Sequence, residues 1–598
     1  MIIPMTKFAF LVYHLDYPVF MEELQKIGLI HVSGRGQHIG EKEKKFLDEI
    51  NRLKTTISIL EKREPSGSFS IVSTDQILDR IDDIIKEKDQ LDNQLKKVEK
   101  ELHDLQPWGN FSVADLKRFS DLGLTIKFFQ VPEKRYSEVW IAAYATEEIS
   151  RANGNVYFVA LAEQGVDILL DATEVKAPAF SYSDKQAEYN SIEATINQIN
   201  SELNAMASGL DFLASEKARI ENELEIEKVW SDTLKEADEK VMILEGWAPT
   251  EKTPEIVSFA ERNGVYFISE EGKLENNPPI LLKNNWFARL FEPIGELFSL
   301  PIYNEIDLTA FFAPFFMMFF GFCLADAGYG VVLILLATFF KFKVKANMKP
   351  LLSLIQWLGL ATVIFGIITG TLFGVVLVDV DLGSLNRFKS LVLGSQDLFY
   401  LAMMVGAFQI LFGMVIKAFN LAKQNTWLHA VSTFGWFSLI VFTIICILLG
   451  DKYPAFKTMG TIHLIVSGIC GIAIFFFNSP GKNPFINVGL GLWDTYNMLT
   501  GLLGDVLSYI RLFALALSGA ILGSVYNSLA FGMAPDIPVV KQIVIVLILV
   551  IGHSINLFMG GLGALVHPMR LTFVEFYKNA NFTGGGISYQ PFKKQIIK

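Results

Sequence analysis

Two arginines in the last fifth of the chain, Arg511 and Arg570, are the side chains most able to do chemistry, because each lies within a long apolar run. An arginine keeps its positive charge at any physiological pH. A charge at the centre of a membrane helix costs about 2.5–3.5 kcal/mol on insertion scales, which makes an intramembrane arginine a functional candidate. The alternative is an arginine near a helix end, whose long side chain reaches the lipid headgroups.

Both arginines belong to stripes of small and polar residues that recur every three or four positions, as on one face of a helix. The first stripe is Gly504, Ser508, Arg511, Ala514 and Ser518, and the second is His553, Asn556, Gly560, Gly563, His567 and Arg570. Small residues let another helix approach closely, and polar groups at membrane depth face protein or water rather than lipid. Helix packing alone would explain the glycines and serines, but two stripes that each contain an arginine indicate function.

Carboxylates lie toward the predicted cytoplasmic ends of the two helices that carry these stripes. Asp505 and Glu575 either line an aqueous passage or are ordinary carboxylates at the membrane interface, and the sequence favours neither interpretation. Asp494 is interpreted as interfacial. The first helix is expected to run outward and the second to return, so Arg511 and Arg570 are predicted at similar depth.

Composition separates the chain into two halves. The 598 residues are 51% hydrophobic, with charged, heptad-patterned sequence before residue 300 and long apolar runs from 308 to 580. The formal charge of −11 argues against a nucleic-acid partner. All three cysteines fall in apolar runs, which excludes a disulfide framework and a thiolate metal site, and we expect neither a metal nor a cofactor. No signal peptide or phosphate-binding loop is evident, so the first 300 residues are expected in the cytoplasm, without a nucleotide site.

The apolar half predicts eight membrane spans. They lie near 308–325, 326–342, 351–378, 397–420, 428–449, 460–478, 490–531 and 537–574. The alternative, one helix over 308–340, would be about 50 Å long, against a bilayer core of about 30 Å. Eight spans place both termini and the basic loops on the cytoplasmic side. The loop 379–397 is acidic overall, although it contains Arg387 and Lys389.

The first half predicts a cytoplasmic arm over residues 1–300, followed by a transmembrane domain over 301–598. A βαβ opening and later strands predict a base lobe from 1–40 and 236–285. Heptad seams over 41–106 and 178–235 predict an antiparallel coiled-coil hairpin, the alternative being an intermolecular coiled coil. Between the seams, residues 107–177 predict a distal α/β lobe, with a strand over 138–144.

A series of motifs resembles the a/I subunit of V-type and A-type rotary ATPases, over essentially the whole chain. The motifs are Glu245-Gly-Trp-Ala-Pro249, Pro279-Ile-Leu-Leu-Lys-Asn284, Pro301-Ile-Tyr-Asn-Glu-Ile-Asp307, Asp326-Ala-Gly-Tyr-Gly330, Gly366-Ile-Ile-Thr-Gly-Thr-Leu-Phe-Gly374, Leu507-Ser-Tyr-Ile-Arg-Leu-Phe-Ala-Leu515, His567-Pro-Met-Arg-Leu-Thr-Phe-Val-Glu575 and Tyr589-Gln-Pro-Phe592. Each is weak alone, whereas their order is specific. One departure is Ile306-Asp-Leu-Thr309, where the family usually has Asp-Pro-Thr.

The resemblance implies a mostly α fold: an arm of two α/β lobes joined by a coiled-coil hairpin, and eight transmembrane helices, the last two long and tilted. It implies a prokaryotic stator subunit without a catalytic site of its own, in the cell membrane with both termini cytoplasmic. Arg511 and Arg570 would serve H⁺ or Na⁺ translocation. The lining of the ion half-channels would include Ser508, Asp505, His553, Asn556, His567 and Glu575.

The resemblance also implies a set of partners. They are the rotor-ring c (K) subunits, the peripheral-stalk E and G subunits, the central-stalk d (C) subunit, membrane lipid and, indirectly, the A/B ATPase head. Two other classes of function stay open. A self-contained secondary transporter would show an internal repeat, and none is evident between spans one to four and five to eight. A purely structural anchor would leave the charges within the apolar runs unexplained.

Overall fold

The computed structural model describes most of the chain. The described residues are 1–34, 40–66, 73–137, 139–163, 168, 170–238, 240–376, 392–424, 427–449, 453, 460–479, 483–535, 537 and 539–594. Most of the predicted acidic loop 379–397, including Arg387 and Lys389, lies outside them, as do residues 595–598 of the basic tail.

Strands occur mainly before residue 272. They are β1 (Met5–Tyr13), β2 (His31–Val32), β3 (Leu124–Pro132), β4 (Thr146–Ala152), β5 (Asn155–Glu163), β6 (Thr173–Val175), β7 (Leu234–Glu236), β8 (Val241–Pro249), β9 (Tyr266–Glu271), β10 (Thr371–Leu372) and β11 (Val375–Val376).

Helices make up most of the described chain. The first ten are α1 (Tyr17–Ile27), α2 (Glu41–Leu60), α3 (Thr74–Leu105), α4 (Val113–Asp121), α5 (Val139–Tyr144), α6 (Tyr182–Met206), α7 (Leu210–Asp232), α8 (Thr253–Arg262), α9 (Trp286–Arg289) and α10 (Glu292–Glu296). The others are α11 (Thr309–Leu324), α12 (Ala327–Lys343), α13 (Lys349–Thr369), α14 (Ser395–Gln424), α15 (Trp427–Leu449), α16 (Thr461–Phe476), α17 (Pro484–Gly532), α18 (Val540–Arg570) and α19 (Tyr577–Asn579).

These elements form two compact units. One combines Met1–Ser33 with Leu234–Phe592, and the other is Gly34–Thr233 with the residues from Lys593. The division differs from a boundary at residue 300, because the base lobe belongs to the same unit as the apolar helices. Neither unit defines where a membrane surface lies, so the division into a cytoplasmic arm and a transmembrane domain stays a prediction.

The base lobe is an antiparallel sheet in the order β2-β8-β1-β9, with β7 also beside β8. Strand β8 pairs with β1 from Met5 opposite Pro249 to Tyr13 opposite Val241. It therefore lies between the two strands of the predicted βαβ opening, which are not neighbours. Alternate side chains of β1, such as Phe8 and Phe10, are fully buried, as expected for a sheet with one covered face.

The last described residues return to this lobe. The Tyr589 hydroxyl donates to the Leu29 carbonyl at 2.6 Å, and the Phe592 amide donates to the Ile30 carbonyl at 2.7 Å. The Tyr589-Gln-Pro-Phe592 motif thus joins the segment after the last apolar helix to the N-terminal sheet.

The two heptad segments pack against each other within the second unit. Ion pairs join Lys42 to Glu227 at 3.6 Å, Arg80 to Glu202 at 2.9 Å, and Lys185 to Glu101 at 2.7 Å, which is an antiparallel order. The seam residues of both segments are buried together; examples are Leu53, Leu60, Ile81, Ile84, Leu203, Leu213 and Ile220. Because the apolar seams are buried within the chain, they are not available to form an intermolecular coiled coil.

The distal lobe is an antiparallel sheet in the order β4-β5-β3-β6. The strand predicted over 138–144 is wrong, because Val139–Tyr144 is helix α5. Its Trp140 ring packs against Phe158 of β5, with 5.8 Å between centroids. A short apolar run does not distinguish a strand from a helical turn by its period, and the sequence Ala142-Ala143 favours helix.

A helix lies in each of the eight segments predicted to span the membrane. Five of them, α13, α14, α15, α17 and α18 with its continuation to Asn579, are long and apolar enough to cross a bilayer, and α11 and α16 are shorter apolar helices. The number of spans stays a prediction. Helix α13 ends at Thr369 rather than near 378, because Gly370 adopts a left-handed conformation and the hairpin β10–β11 follows.

Large aromatic side chains and close helix contacts hold these helices together. Phe312, Phe316 and Phe319 of α11 are at most 1% exposed in the largest apolar core. Where α13 meets the start of α12, a Cβ on Gly366 would lie 2.0 Å from the Ala327 amide nitrogen. Only glycine fits at that crossing.

Truncation of a seam residue tests the packing of the coiled coil. Leu203→Ala removes a side chain that is 2% exposed, and we expect a loss of about 2–5 kcal/mol in local opening free energy. Hydrogen exchange should accelerate in peptides from α3 and α6. Leu122→Ala, at a side chain that is 75% exposed, is the control. Equal exchange in both variants would show that the seam is not packed.

Candidate functional site

Helix α17 carries Arg511 near its middle. At 1.5 Å per residue its 49 residues extend about 74 Å. Arg511 is half-buried, and three members of its stripe, Gly504, Ala514 and Ser518, are exposed. A Cβ added to Gly504 would meet no atom within 4 Å. The stripe on α17 is therefore an open surface of this chain.

Helix α18 packs antiparallel to α17 in a register that close contacts define. A Cβ on Gly552 would lie 2.6 Å from the Tyr526 ring, and one on Gly563 would lie 3.7 Å from Leu515. Extending this register places residue 567 opposite residue 511 and residue 570 opposite residue 508. Arg511 and Arg570 are thus about 5 Å apart along the axis of the helix pair.

The stripe on α18 differs from the one on α17 in what it contacts. Asn556 is buried, and a Cβ on Gly560 would lie 3.0 Å from Leu324 of α11. Arg570 alone in this stripe is exposed. Most of the second stripe therefore packs against helices of the same chain, whereas the first remains uncovered.

Neither guanidinium forms an ion pair within the described chain, although Arg570 acts electrostatically on Glu575. No carboxylate of the described residues lies within 4.0 Å of Arg511 or Arg570. Both arginines act electrostatically on His567, which lies one turn before Arg570 on α18. Two positive charges therefore share one region of the helix pair, and neither forms a close ion pair with a described carboxylate.

A charged cluster lies toward the start of α17, about 9 Å along the axis from Arg511. Asp505 is buried, at 8% exposure, and accepts from Lys578 Nζ at 3.3 Å and Asn579 Nδ2 at 2.8 Å. We call Asp505, Lys578, Asn579 and Glu575 the Asp505 cluster. Its lysine and asparagine come from α19, so the helical continuation of α18 packs against the first half of α17.

Glu575 brings a second carboxylate to the Asp505 cluster. It lies in a π-helical turn, Leu571–Phe576, that follows Pro568. Proline donates no backbone hydrogen bond, and π-helical turns are frequent at functional sites. Glu575 is 2% exposed, and its Oε2 atom has no hydrogen-bond partner among the described residues. The Ser508 side chain of α17 faces this carboxylate.

An uncharged cluster lies on the other side of Arg511. The Tyr329 hydroxyl is 2.7 Å from His553 Nδ1 and accepts from Asn556 Nδ2 at 2.9 Å. His553 Nε2 lies 3.1 Å from Asn527 Oδ1, and Asn556 also donates to the Gly519 carbonyl at 3.0 Å. We call Tyr329, His553, Asn527 and Asn556 the His553 cluster. It joins α12, α17 and α18.

Asp326 positions Tyr329 at the start of α12. Its buried carboxylate accepts from the backbone amides of Gly328, Tyr329, Phe373 and Gly374, at 2.8 to 3.2 Å. It therefore caps α12 and fixes the turn of the hairpin β10–β11. In that turn a Cβ on Gly374 would lie 2.3 Å from the Gly523 carbonyl carbon of α17. Asp326 is a structural residue whose acceptors are satisfied.

A contact between α14 and α17 sets the rotation of α17 about its axis. The fully buried Tyr509 donates to Gln409 Oε1 at 2.7 Å. A Cβ on Gly406 would lie 2.4 Å from the Tyr509 ring. Since Tyr509 is anchored in the bundle, Arg511 two positions later points to a different side of the helix.

The predicted site residues fall into separate groups. Asp505, Glu575 and Ser508 meet at one cluster, His553 and Asn556 at the other, and His567 lies beside the arginines. Sequence reasoning missed Tyr329, Asn527, Lys578, Asn579 and Gln409. Tyr329 is in a quoted motif, so its position was visible but its partner was not. The others have no local pattern that marks them.

The family model described as the V-type ATPase 116kDa subunit family matches residues 172–372 and 495–594, together just over half of the chain. The chain belongs to this family. Both arginines lie in the second matched segment, and the membership confirms the predicted resemblance. Members of the family are membrane subunits of rotary ATPases.

Relatives with this name come from bacteria and archaea. The V-type ATP synthase subunit I of Borreliella burgdorferi is 24% identical over 99% of this chain and 100% of its own length. The V-type ATP synthase subunit I 1 of Treponema pallidum is 23% identical over 100% of both chains. The A-type ATP synthase subunit I of Methanocaldococcus jannaschii is 29% identical over 62% of this chain and 58% of its own.

A crystal structure of the cytoplasmic N-terminal domain of subunit I, homolog of subunit a, of V-ATPase covers 44% of this chain and 100% of that domain. The two share 12% identity with a TM-score of 0.20, which supports no statement about the fold.

Removing the Tyr329 hydroxyl tests the His553 cluster. Tyr329→Phe leaves His553 Nδ1 and one Asn556 amide hydrogen without a buried partner, so we expect a loss of about 1–3 kcal/mol in stability. The midpoint of thermal unfolding of the purified chain should fall. Tyr400→Phe is the control, because Tyr400 is 53% exposed. A midpoint that falls equally in both variants would contradict a role for this hydroxyl.

Proposed function

We propose that the chain is the stator subunit of a prokaryotic V/A-type rotary ATPase and forms the ion half-channels against a rotor ring. The observation that carries this proposal is Arg511, a permanent charge on an uncovered stripe of α17 with a polar cluster on either side. Family membership supports the complex, and the named relatives are ATP synthase subunits I.

The mechanism follows from charge and access. A ring carboxylate that is neutral while it crosses lipid would meet Arg511 at the exposed stripe. A nearby fixed positive charge stabilises the anion, so the carboxylate releases its ion there. The Asp505 cluster and the His553 cluster would lead from the two membrane surfaces toward this point. The two arginines between these clusters would stop ions from passing directly from one cluster to the other.

Each cluster offers its own chemistry to the passing ion. The Asp505 cluster contains two carboxylates and a lysine, which could exchange an ion with water. The His553 cluster offers the imidazole of His553 and the amide of Asn556, both hydrogen-bonded to one hydroxyl. We infer that His567, beside both arginines, is closest to the point of ion release. Whether the ion is H⁺ or Na⁺ is set by the ring carboxylate's own site.

The remaining expectations complete the proposal. The arm would bind the peripheral-stalk E and G subunits and the central-stalk d (C) subunit. Its antiparallel coiled coil is a suitable strut, because a stator must resist torque. The apolar helices would make eight crossings of the cell membrane, with both termini cytoplasmic. ATP chemistry would take place on the A/B head, and this chain would contribute no catalytic residue.

Substitution of Arg511 tests the proposal directly. In the assembled complex, Arg511→Ala should abolish ATP-driven ion transport into vesicles, because it removes the fixed charge from the exposed stripe of α17. Arg511→Lys should retain little transport, since an ammonium can lose its proton when desolvated. Arg289→Ala, an exposed arginine on α9, should transport normally. Full pumping by an assembled Arg511→Ala complex would refute the proposal.

The carboxylates of the Asp505 cluster should affect rate rather than assembly. Asp505→Asn and Glu575→Gln keep the size of each side chain but remove its charge. We expect the initial rate of ion transport to fall about tenfold in each, an effect of about 1.4 kcal/mol on the barrier. Asp494→Asn on the same helix is the control, because Asp494 is exposed. Unchanged rates in both cluster variants would favour the interfacial interpretation.

A further inference from the structure

A cavity of about 390 Å³ lies among α14, α15, α17 and α19, and two residues of the Asp505 cluster, Lys578 and Asn579, line it. Polar side chains dominate its lining. Those that the argument uses are Lys417, His429, Ser432, Thr433, Asn497 and Lys578. The proposed ion path accounts for Lys578 only, through its contact with Asp505.

Lys417 is the most unusual residue of this lining. It lies on α14, within an apolar helix long enough to cross a bilayer. Its ammonium makes no hydrogen bond or ion pair with any described residue. Lys578 contributes a second ammonium to the same cavity, where it is ion-paired with Asp505 at 3.3 Å. Both Asp494 and Lys578 act electrostatically on Lys417. An ammonium that is partly removed from water and has no hydrogen-bond acceptor is costly, and an anion in the cavity would supply one.

The neutral polar groups of the lining can donate hydrogen bonds as well as accept them. His429 Nδ1 is buried and has no partner among the described residues. Ser432 and Thr433 follow on the next turn of α15, and Asn497 lies on α17. His429 is two positions after the first residue of α15, whose N-terminal end carries a positive partial charge. Donors and positive charge thus converge on one space.

Two carboxylates act on the two ammonium groups of the cavity. Asp494 of the lining acts electrostatically on Lys417, and Asp505 is ion-paired with Lys578 at 3.3 Å. Neither carboxylate comes within bonding distance of Lys417. An anion with several oxygen acceptors would supply the acceptor that Lys417 lacks and would also accept from the neutral donors.

We propose that this cavity binds a phosphate group. A phosphate has multiple acceptor oxygens, and lysine is a common phosphate ligand. The two possible sources are the headgroup of an anionic phospholipid and free inorganic phosphate. The lipid source has support from α17, where Trp493 and Tyr496 are 63% and 60% exposed beside the cavity. Exposed tryptophan and tyrosine are typical of the headgroup level of a membrane.

This binding site can be tested independently of the proposed ion path. It requires the ammonium of Lys417, which no step of ion transfer uses. A basic pocket among membrane helices is a recognised type of site for anionic headgroups. Occupancy would join α14, α15, α17 and α19 through one anion.

The experiment measures binding to the purified full-length chain. One arm titrates dioleoyl phosphatidylglycerol, with dioleoyl phosphatidylcholine as the zwitterionic reference, and counts bound lipid by native mass spectrometry. The other arm titrates sodium phosphate and follows the midpoint of thermal unfolding. We expect one saturable phosphatidylglycerol site, with binding about tenfold weaker in Lys417→Gln.

Three variants keep the result interpretable. Lys423→Gln is the matched control: it lies on the same helix and removes the same charge, but its Nζ donates to the Glu305 carbonyl at 3.4 Å outside this cavity. Lys417→Arg should retain binding, which separates loss of charge from misfolding. If Lys417→Gln does not fold, His429→Gln should weaken binding in its place.

Each outcome decides the proposal. Phosphatidylglycerol binding that depends on Lys417 supports a lipid headgroup. Phosphate stabilisation that depends on Lys417, with no preference for phosphatidylglycerol over phosphatidylcholine, supports the same site with free phosphate as its ligand. Absence of saturable binding in both arms, or equal binding by wild type and Lys417→Gln, overturns the proposal and leaves a water-filled cavity.

Discussion

A fixed positive charge inside an apolar segment constrains everything around it. Arg511 cannot shed its proton, and no carboxylate of the described chain lies within 4.0 Å of it. Its position must therefore be held by the rest of the helix. Tyr509, bonded to Gln409 of α14, fixes the rotation of α17, and the contact between Gly374 and Gly523 fixes its distance from the hairpin β10–β11. The surrounding bundle acts as a rigid mount for one guanidinium.

The two clusters beside this charge differ in how their buried polar groups are hydrogen-bonded. In the His553 cluster the hydrogen bonds run between tyrosine, histidine and asparagine side chains, so three helices are joined without a carboxylate or a lysine. The Asp505 cluster leaves a Glu575 oxygen unpartnered and uses a lysine to balance a carboxylate. Buried polar groups that lack hydrogen-bond partners destabilise a fold, so such groups are retained only where function requires them.

Sequence patterns revealed periodic features and missed the contacts between distant segments. The heptad seams predicted the antiparallel pairing of α2, α3, α6 and α7, because apolar spacing and helix length determine it. Short apolar runs failed at residues 139–144, where a strand was expected and a helix is found, since six residues do not define a period. The stripes located His553 and Asn556, but Tyr329 lies more than 200 residues away, and no local signal reports that pairing.

The carboxylate of Asp326 has a consequence for biosynthesis. Its hydrogen-bond donors all lie between residues 328 and 374, so this turn can form before the ribosome has made α17 and α18. A chain that is made from its N-terminus can complete α11, α12, α13 and the hairpin first. The last two long helices would then pack against a structure that has already formed, in which Gly374 and the Tyr329 hydroxyl are in place. The surface that sets the register of the two helices would therefore form before the helices themselves are made.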